Sequence, residues 1–354
     1  MPKPRQPEAT DNPMRRRRAI ILPTRTEAER RHAIETAAEA LRAGELVATP
    51  TETVYGLAAN ALDARAVRRI FEVKGRPPNN PLIVHVDGTE MARRWAAVWP
   101  ETAQRLAEAF WPGPLTLVLP KAAGIPDAVT GGGGTVGLRH PQAPLTEAII
   151  RRCGFPLAAP SANRSSEISP TTADHVARSL GDRIRWIVDG GPCPVGIEST
   201  VLDLSVQPPR VLRPGMIGPA ALAAALGQTP RAAGGPEERG RGPLRSPGLL
   251  DRHYAPRAAL LVWRWREESE LLKRLEAAGL SPDRCALAAL RLPRSIRFRR
   301  TALMPRGVAE YGRALYRTLH ECDAPGIRAI LVEAPPERDE WEAIWDRLRR
   351  AAAR

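Results

Sequence analysis

Three hydroxyl groups and a carboxylate crowd the stretch PTETVYGLAANA (Pro50 to Ala61), directly behind the apolar run LVAT. Thr51 and Thr53 fall just past that run, and in α/β sheets ligands sit outside strand ends. The plainer reading is a turn whose hydroxyls satisfy its own backbone. Next comes KGRPPNNPLIVH (Lys74 to His85). Lys74 and Arg76 either complement the negative end of a helix or clamp phosphate. Arginine does so by forking onto two oxygens and lysine by a compact point charge. Asn79 and Asn80 add amides that suit a base or a ribose.

A second polar cluster, APSANRSSEISPTT (Ala159 to Thr172), also follows an apolar run. Ser161 and Asn163 can donate to phosphates, and Ser169 can reach a ribose or a phosphate. The alternative is an Asx or Ser turn that caps a helix starting near Thr171. GIEST (196–200) and VLRPG (211–215) put Ser199 and Arg213 at strand ends as well. His85 closes PLIVH, and a lone strand histidine is more often a hydrogen-bonded core residue than a ligand. Singly these signals are weak. Together they are the donor set that binding a triphosphate beside a zwitterion demands.

The elements that must position these residues follow from periodicity. Residues 27–43 carry Ile34, Ala37, Ala38 and Leu41 at helical spacing, with Gly44 as the stop. Asp63 caps a second helix with Val67, Ile70 and Phe71 on its inner face. LVAT, PLIVHV, LTLVL, TVGLR, FPLAAP, RWIVD and STVLDL read as strands. MARRWAAVW, PLTEAIIRRCG and PTTADHVARSLG read as helices. Strands and helices mix without a strict βαβ period. The fold class is therefore α/β, with a large twisted mixed sheet covered by helices over residues 19–226. Residues 1–18 read as a disordered basic tail, with translation starting at Met1 or Met14. Residues 227–256 form a Gly-, Pro- and Arg-rich linker that ends in SPGLLDRHYAP. Beyond it, residues 257–354 alternate strand and helix strictly, as a small Rossmann-like parallel unit does.

Composition excludes several classes. The 354 residues are 43% hydrophobic and 26% charged, as in globular chains. No apolar run approaches the ~18 residues that span a bilayer, and the basic N-terminus lacks the apolar core of a secretory signal. Cys153, Cys193, Cys285 and Cys322 are scattered, which argues against zinc and a disulfide framework and for a reducing cytoplasm. The histidines show no metal spacing, so no protein-held transition metal is expected. GGGTVG (Gly132 to Gly137) matches a dinucleotide-binding pattern, but a strand rather than a helix follows it. The net charge of +14 attracts polyanions, or it is a solvated arginine-rich surface, since the arginines are dispersed.

PTETVYGLAANA, KGRPPNNPLIVH, WPGPLTLVL, TVGLRHP, PLAAPSAN, GIESTVLDL, VLRPG and SPGLLDRHYAP stand in one order across roughly residues 28–256. In this the chain resembles the YrdC-like family, specifically its two-domain threonylcarbamoyl-AMP synthases. The last hundred or so residues resemble it only in size and alternation. The resemblance implies an enzyme that makes threonylcarbamoyl-adenylate and pyrophosphate from L-threonine, bicarbonate or CO₂, and ATP with its Mg²⁺. The product would pass to the machinery that installs t⁶A at tRNA position 37.

Carried over by motif, Lys74 and Arg76 would contact ATP phosphates and carry the catalysis. Asn80, Thr135, Ser161, Asn163, Ser169, Arg213 and Tyr254 would complete the ATP site. Thr53, His85, Arg139, Ser199 and the backbone of Ala159 would hold threonine. The linker segment would fold over the nucleotide. Two departures stand out: Ala58 where the family usually has glycine, and Asp251 where it usually has an aromatic residue. The alternative is an RNA-binding or ribosome-associated module that uses the same concave basic surface, including double-stranded RNA or tRNA binding.

Overall fold

The computed structural model describes residues 18–232, 246 and 253–353. Strand β1 (Ile20–Leu22) precedes helix α1 (Glu27–Arg42). A capping box starts that helix: Thr26 Oγ1 accepts from the Glu29 N–H, and Glu29 Oε2 accepts from the Thr26 N–H. Strands β2 (Val47–Thr49) and β3 (Gly56–Asn60) pair antiparallel and flank the hydroxyl-rich stretch. Helix α2 (Ala64–Lys74) begins at Asp63, whose carboxylate accepts from the Arg65 N–H, and ends at Gly75 with φ +63°. Glycine takes that left-handed conformation without a Cβ clash, so the stop is sharp. Val67, Ile70 and Lys74 share the buried face of α2 at helical spacing. The lysine therefore continues an apolar stripe into the interior.

The larger unit continues with β4 (Ile83–His85), α3 (Thr89–Trp95), α4 (Glu101–Phe110), β5 (Leu115–Pro120) and a single turn, α5 (Asp127–Thr130). Then come β6 (Thr135–Arg139), α6 (Pro144–Cys153), β7 (Leu157–Ala158), α7 (Ala173–Leu180), β8 (Trp186–Val188), β9 (Thr200–Asp203), β10 (Arg210–Arg213) and α8 (Pro219–Leu226). Ten strands form one sheet in the order β1-β8-β2-β3-β7-β4-β6-β5-β9-β10. The pairing is mixed. β1 with β8, β2 with β8, β4 with β6 and β5 with β9 are parallel, and the other neighbours are antiparallel. Leu57, Leu117, Leu138 and Ile150 are fully buried in its core. Burying one such side chain contributes about 1.5–3 kcal/mol.

The second sheet is four-stranded and wholly parallel. It comprises β11 (Ala259–Trp263), β12 (Cys285–Ala289), β13 (Arg300–Leu303) and β14 (Ala329–Glu333), in the order β11-β14-β12-β13. Helix α9 (Glu268–Ala277) covers one face, where Leu271 and Leu275 meet Leu287 and Leu331. Helices α10 (Val308–Cys322) and α11 (Glu342–Ala352) cover the other, over Ala286, Ala288 and Ile330. The period-two alternation along the strands sends neighbouring residues to opposite faces. The α10/α11 cluster also takes in Val54, Ile168, Ile197 and Tyr254 from outside this unit, so the apolar packing is continuous between the two sheets.

Several expectations shift. The GLAAN part of the opening motif, which no expected element covered, is strand β3, and Ala58 sits in it, fully buried, opposite Val47. The helix expected over Met91–Trp99 ends at Trp95, and α4 follows it. Strict alternation fails between β12 and β13, which are neighbours joined without a helix. The expected tail, apart from Arg18, lies outside the described residues. So do linker residues 233–245 and 247–252, including Asp251.

Candidate functional site

A small cavity of about 40 Å³ opens among segments that are far apart in the chain. Thr51, Thr53 and Val54 enter from the β2–β3 connection, and Arg76 enters from the turn after α2. His85 comes from β4, Arg139 from β6, Ala159 and Ser161 from the chain after β7, Glu198 from the approach to β9, and Arg213 from β10. His253 and Tyr254, just ahead of β11, line it too.

Lys74, Arg76 and Arg213 are 3%, 7% and 4% exposed, yet none forms an ion pair among the described residues. Buried charges are normally paired, because removing them from water is costly. Here carbonyl and amide oxygens and one hydroxyl hold them instead. Lys74 Nζ donates to the main-chain oxygens of Ser161 and Asn163 and, at 3.3 Å, to Asn163 Oδ1. Arg76 Nη2 donates to Asn80 Oδ1 at 2.6 Å and to the Pro81 oxygen at 2.8 Å, while Nε donates to the Asn80 oxygen. Arg213 donates from Nε to the Ser199 oxygen at 3.0 Å and from Nη2 to Ser199 Oγ at 3.1 Å. The planar fork of each arginine is thus fixed along one edge, which leaves Nη1 for an anion. Burial, reinforced by Arg76 beside it, pushes the Lys74 ammonium well below its usual value.

Beyond these cations lies a hydroxyl floor. Thr51 Oγ1 donates to the Val54 oxygen at 2.6 Å and lies 2.9 Å from Thr53 Oγ1. Arg139 Nη2 donates to Thr53 Oγ1 at 3.0 Å and pairs with Glu52 Oε2 at 2.6 Å. Ser199 Oγ is also 2.8 Å from Thr116 Oγ1. Burial, with Arg139 and His140 close by, pushes the His85 imidazolium well below its usual value, so the ring is neutral at pH 7. Of the cavity's lining atoms, His85 Nδ1, His253 Nδ1 and Tyr254 OH are buried without a hydrogen-bond partner among the described residues. Such orphans are what a polar ligand would satisfy. Tyr254 is held at φ +61°, an unfavourable conformation for an aromatic residue. The neighbouring Ala255 N–H donates to the Ser166 oxygen at 2.8 Å.

Of the residues singled out in the sequence, Thr53, Arg76, His85, Arg139, Ala159, Ser161, Arg213 and Tyr254 line the cavity. Lys74, Asn80, Asn163 and Ser199 stand directly behind them as hydrogen-bond partners. Ser169 Oγ donates to Glu198 Oε1 at 2.5 Å, also from behind. Thr135 is not brought to the cavity wall. It begins β6 opposite Pro120, four residues before Arg139 and therefore about 13 Å away along the strand. Of the glycines ahead of it, Gly131 approaches the backbone of Asn79, while Gly132 and Gly134 face open space.

Sequence reasoning missed the acids. Glu52 is buried against Arg139, and Glu198 is buried against Arg347 of α11, with Nε to Oε2 at 2.8 Å. Burial alone would raise the Glu198 carboxyl, but Arg347, Arg213 and the Ser169 hydroxyl together hold it down to about 2. An acid inside GIEST was the available signal. Its cation lies 149 residues away and could not be read from spacing.

A family model described as Telomere recombination (Sua5, YciO and YrdC) matches residues 39–215. A model for the threonylcarbamoyl-AMP synthase C-terminal domain matches residues 217–353. The chain belongs to the threonylcarbamoyl-AMP synthase family. A Pyrococcus abyssi threonylcarbamoyl-AMP synthase is 40% identical, over 90% of this chain and 94% of that protein. The Bacillus subtilis one is 39% identical, over 90% and 92%. The crystal structure of P. abyssi Sua5 complexed with L-threonine superposes with a TM-score of 0.86 at 39% identity, covering 94% of this chain and 98% of that one. In this chain Arg347 of α11 bonds Glu198, which lines the cavity, and so ties the C-terminal region to the site.

Proposed function

We propose that the cavity joins L-threonine, bicarbonate or CO₂, and ATP into threonylcarbamoyl-adenylate and pyrophosphate, for t⁶A modification of tRNA. The observation that carries this reading is the set of buried cations, Lys74, Arg76 and Arg213, with no carboxylate of their own among the described residues. They call for a polyanion, and the triphosphate of ATP supplies one.

The chemistry asks for position and charge rather than a nucleophilic side chain. The threonine amine, deprotonated, adds to the carbon of CO₂ to give a carbamate. A carbamate oxygen then attacks the α-phosphorus, and pyrophosphate departs with the bond electrons. Carbamates fall apart in water, so an enclosed site preserves the intermediate and keeps it in line. Charge building on the leaving phosphates meets Lys74, Arg76 and Arg213, already oriented by their oxygen partners. Mg²⁺ enters with ATP as part of the substrate and keeps phosphate and water ligands.

Arg139, oriented by Glu52 and Thr53, suits the threonine carboxylate, with His85, Ser199 and the Ala159 backbone around the amino acid. Asn80, Ser161, Asn163, Ser169, Thr135 and Tyr254 are assigned to the nucleotide side. Thr135 is the weakest of these, given its distance from the cavity wall. The described cysteines carry free thiols, in keeping with a cytoplasmic protein. Transfer of the product to the t⁶A machinery belongs to the same reading. RNA binding rests on the net charge alone. The direct test is pyrophosphate release. It should require ATP, threonine and bicarbonate together, and release with ATP alone at the same rate would overturn the reading.

A further inference from the structure

Arg347, on the inward face of α11, is 1% exposed and spends its donors on one small region of the cavity's back wall. Nε donates to Glu198 Oε2 at 2.8 Å and Nη2 to the Glu198 main-chain oxygen at 3.1 Å. Nη1 donates to the Pro214 oxygen at 2.8 Å and also pairs with Asp346. Glu198 is the residue before Ser199, and Pro214 is the residue after Arg213. One guanidinium from the small parallel unit therefore grips both chains that carry the Ser199–Arg213 pair. Tyr316 of α10 donates its hydroxyl to the same Glu198 oxygen at 2.9 Å. Glycine permits the close approach: a Cβ at Gly196 would lie 2.5 Å from the Arg313 Cα of α10, and one at Gly215 would lie 2.3 Å from the Thr200 nitrogen.

The charge balance matters as much as the geometry. Glu198 lines the cavity, and Arg213 is the next cation able to attract its carboxylate. Arg347 satisfies Glu198 from behind, and that leaves Arg213 facing the cavity.

We infer that Arg347 is a positioning residue for the nucleotide site: by neutralising and anchoring Glu198 it keeps Arg213 available to phosphate, so the C-terminal unit is a working part of the cavity. This rests on the proposed ATP-binding reading. Without Arg347, Glu198 turns to Arg213 and cancels the charge that ATP needs. Removing the carboxylate as well frees Arg213 again. That rescue separates positioning from a merely structural role, in which a second buried change adds damage.

The test is equilibrium ATP binding to the full-length chain, with pyrophosphate release measured alongside. Arg347→Met should weaken ATP binding at least tenfold. Arg347→Met combined with Glu198→Gln should recover to within about threefold of the parent. Tyr316→Phe removes one of Glu198's hydrogen bonds with little change of shape. It should shift ATP affinity in the same direction by a smaller factor, and it serves if Arg347→Met fails to fold. The inference is overturned if both Arg347→Met and Tyr316→Phe leave ATP affinity within twofold, or if Glu198→Gln gives no rescue. A parent chain that binds ATP but releases no pyrophosphate contradicts the proposed reaction instead, and the affinity series still decides the role of Arg347.

Discussion

Lys74 Nζ, at the last turn of α2, donates to both the main-chain oxygen and Oδ1 of Asn163, 89 residues further along the chain. This bond joins the Lys-x-Arg stretch to the Ser-x-Asn stretch and fixes the ammonium where a phosphate can share it. The fixed geometry avoids reorganisation when charge develops, which is where electrostatic catalysis gains most.

Lys74→Met keeps most of the volume and removes the charge. A lost charge-assisted hydrogen bond costs about 1.5–3 kcal/mol, so turnover should fall roughly ten- to hundredfold. The Ser161 and Asn163 oxygens also lose their donor, so the melting temperature should drop as well. Steady-state kinetics and thermal unfolding check both. Unchanged kcat/KM for ATP alongside a lowered melting temperature would make Lys74 a purely structural residue.

The same lysine predicts a pH effect. Burial and Arg76 depress it in the free protein, and a bound triphosphate favours its charged form. As pH rises through the lysine's depressed range, ATP binding should take up a proton and affinity should weaken. Calorimetric titration in buffers of different ionisation enthalpy reads the uptake. Lys74→Met should flatten the pH dependence, and equal slopes in both proteins would assign the proton elsewhere.

Arg139 is expected to act on threonine rather than on ATP. Arg139→Lys loses the planar fork held by Glu52 and Thr53. The KM for threonine should rise at least tenfold while the KM for ATP moves less than threefold. Comparable changes in both constants would contradict the division of the cavity into two ends.

Much of this site was legible because its polar residues follow apolar strands. Thr53, Ser161, Ser199 and Arg213 were each marked by a local contrast between a buried run and a polar tip, Arg76 by its place behind a helix end, and Arg139 only by the family resemblance. Lys74 was ambiguous, since a lysine ending a helix normally complements its dipole in solvent. Its place on the Val67–Ile70 face was readable from spacing, and its 3% exposure rules out a solvent-facing helix-end lysine. Strand β3 was obscured because GLAAN holds few of the β-branched and aromatic residues that mark strands, yet it is paired on both sides. Strand β13 is an edge strand with exposed Arg300, Thr301 and Leu303, so no apolar run announces it. The Glu198–Arg347 pair is a tertiary relationship with no local trace.

Acid stability should carry the signature of Glu198. Its folded value of about 2 lies below its usual 4.5. A depressed carboxyl contributes stability that is fully present above 4.5 and is lost as pH falls toward 2, here about 3 kcal/mol. Glu198→Gln should unfold with a shallower dependence on pH over that window in denaturant titrations. An unchanged slope would place the acid-labile charge elsewhere.

The stacked rings of His175 and His320, 3.9 Å apart, join α7 to α10. Burial is the main cause that holds them to about 3 and about 4, against a usual 6.5. Because the unfolded chain binds these protons more readily, stability should be full above pH 6.5 and decline as pH falls below it. His320→Phe retains a stacking ring and should remove part of that decline. An identical pH profile for the variant would show that the pair is silent.

The central claim is that Lys74, Arg76 and Arg213 form no ion pair among the described residues because they seat the phosphates of ATP, with threonine next to Arg139. A crystal structure of the full chain with a non-hydrolysable ATP analogue and L-threonine tests it most directly. The account predicts phosphate oxygens within hydrogen-bond distance of Arg76 and Arg213 and the threonine carboxylate on Arg139. An analogue bound at full occupancy outside this cavity, with those arginines untouched, would contradict it.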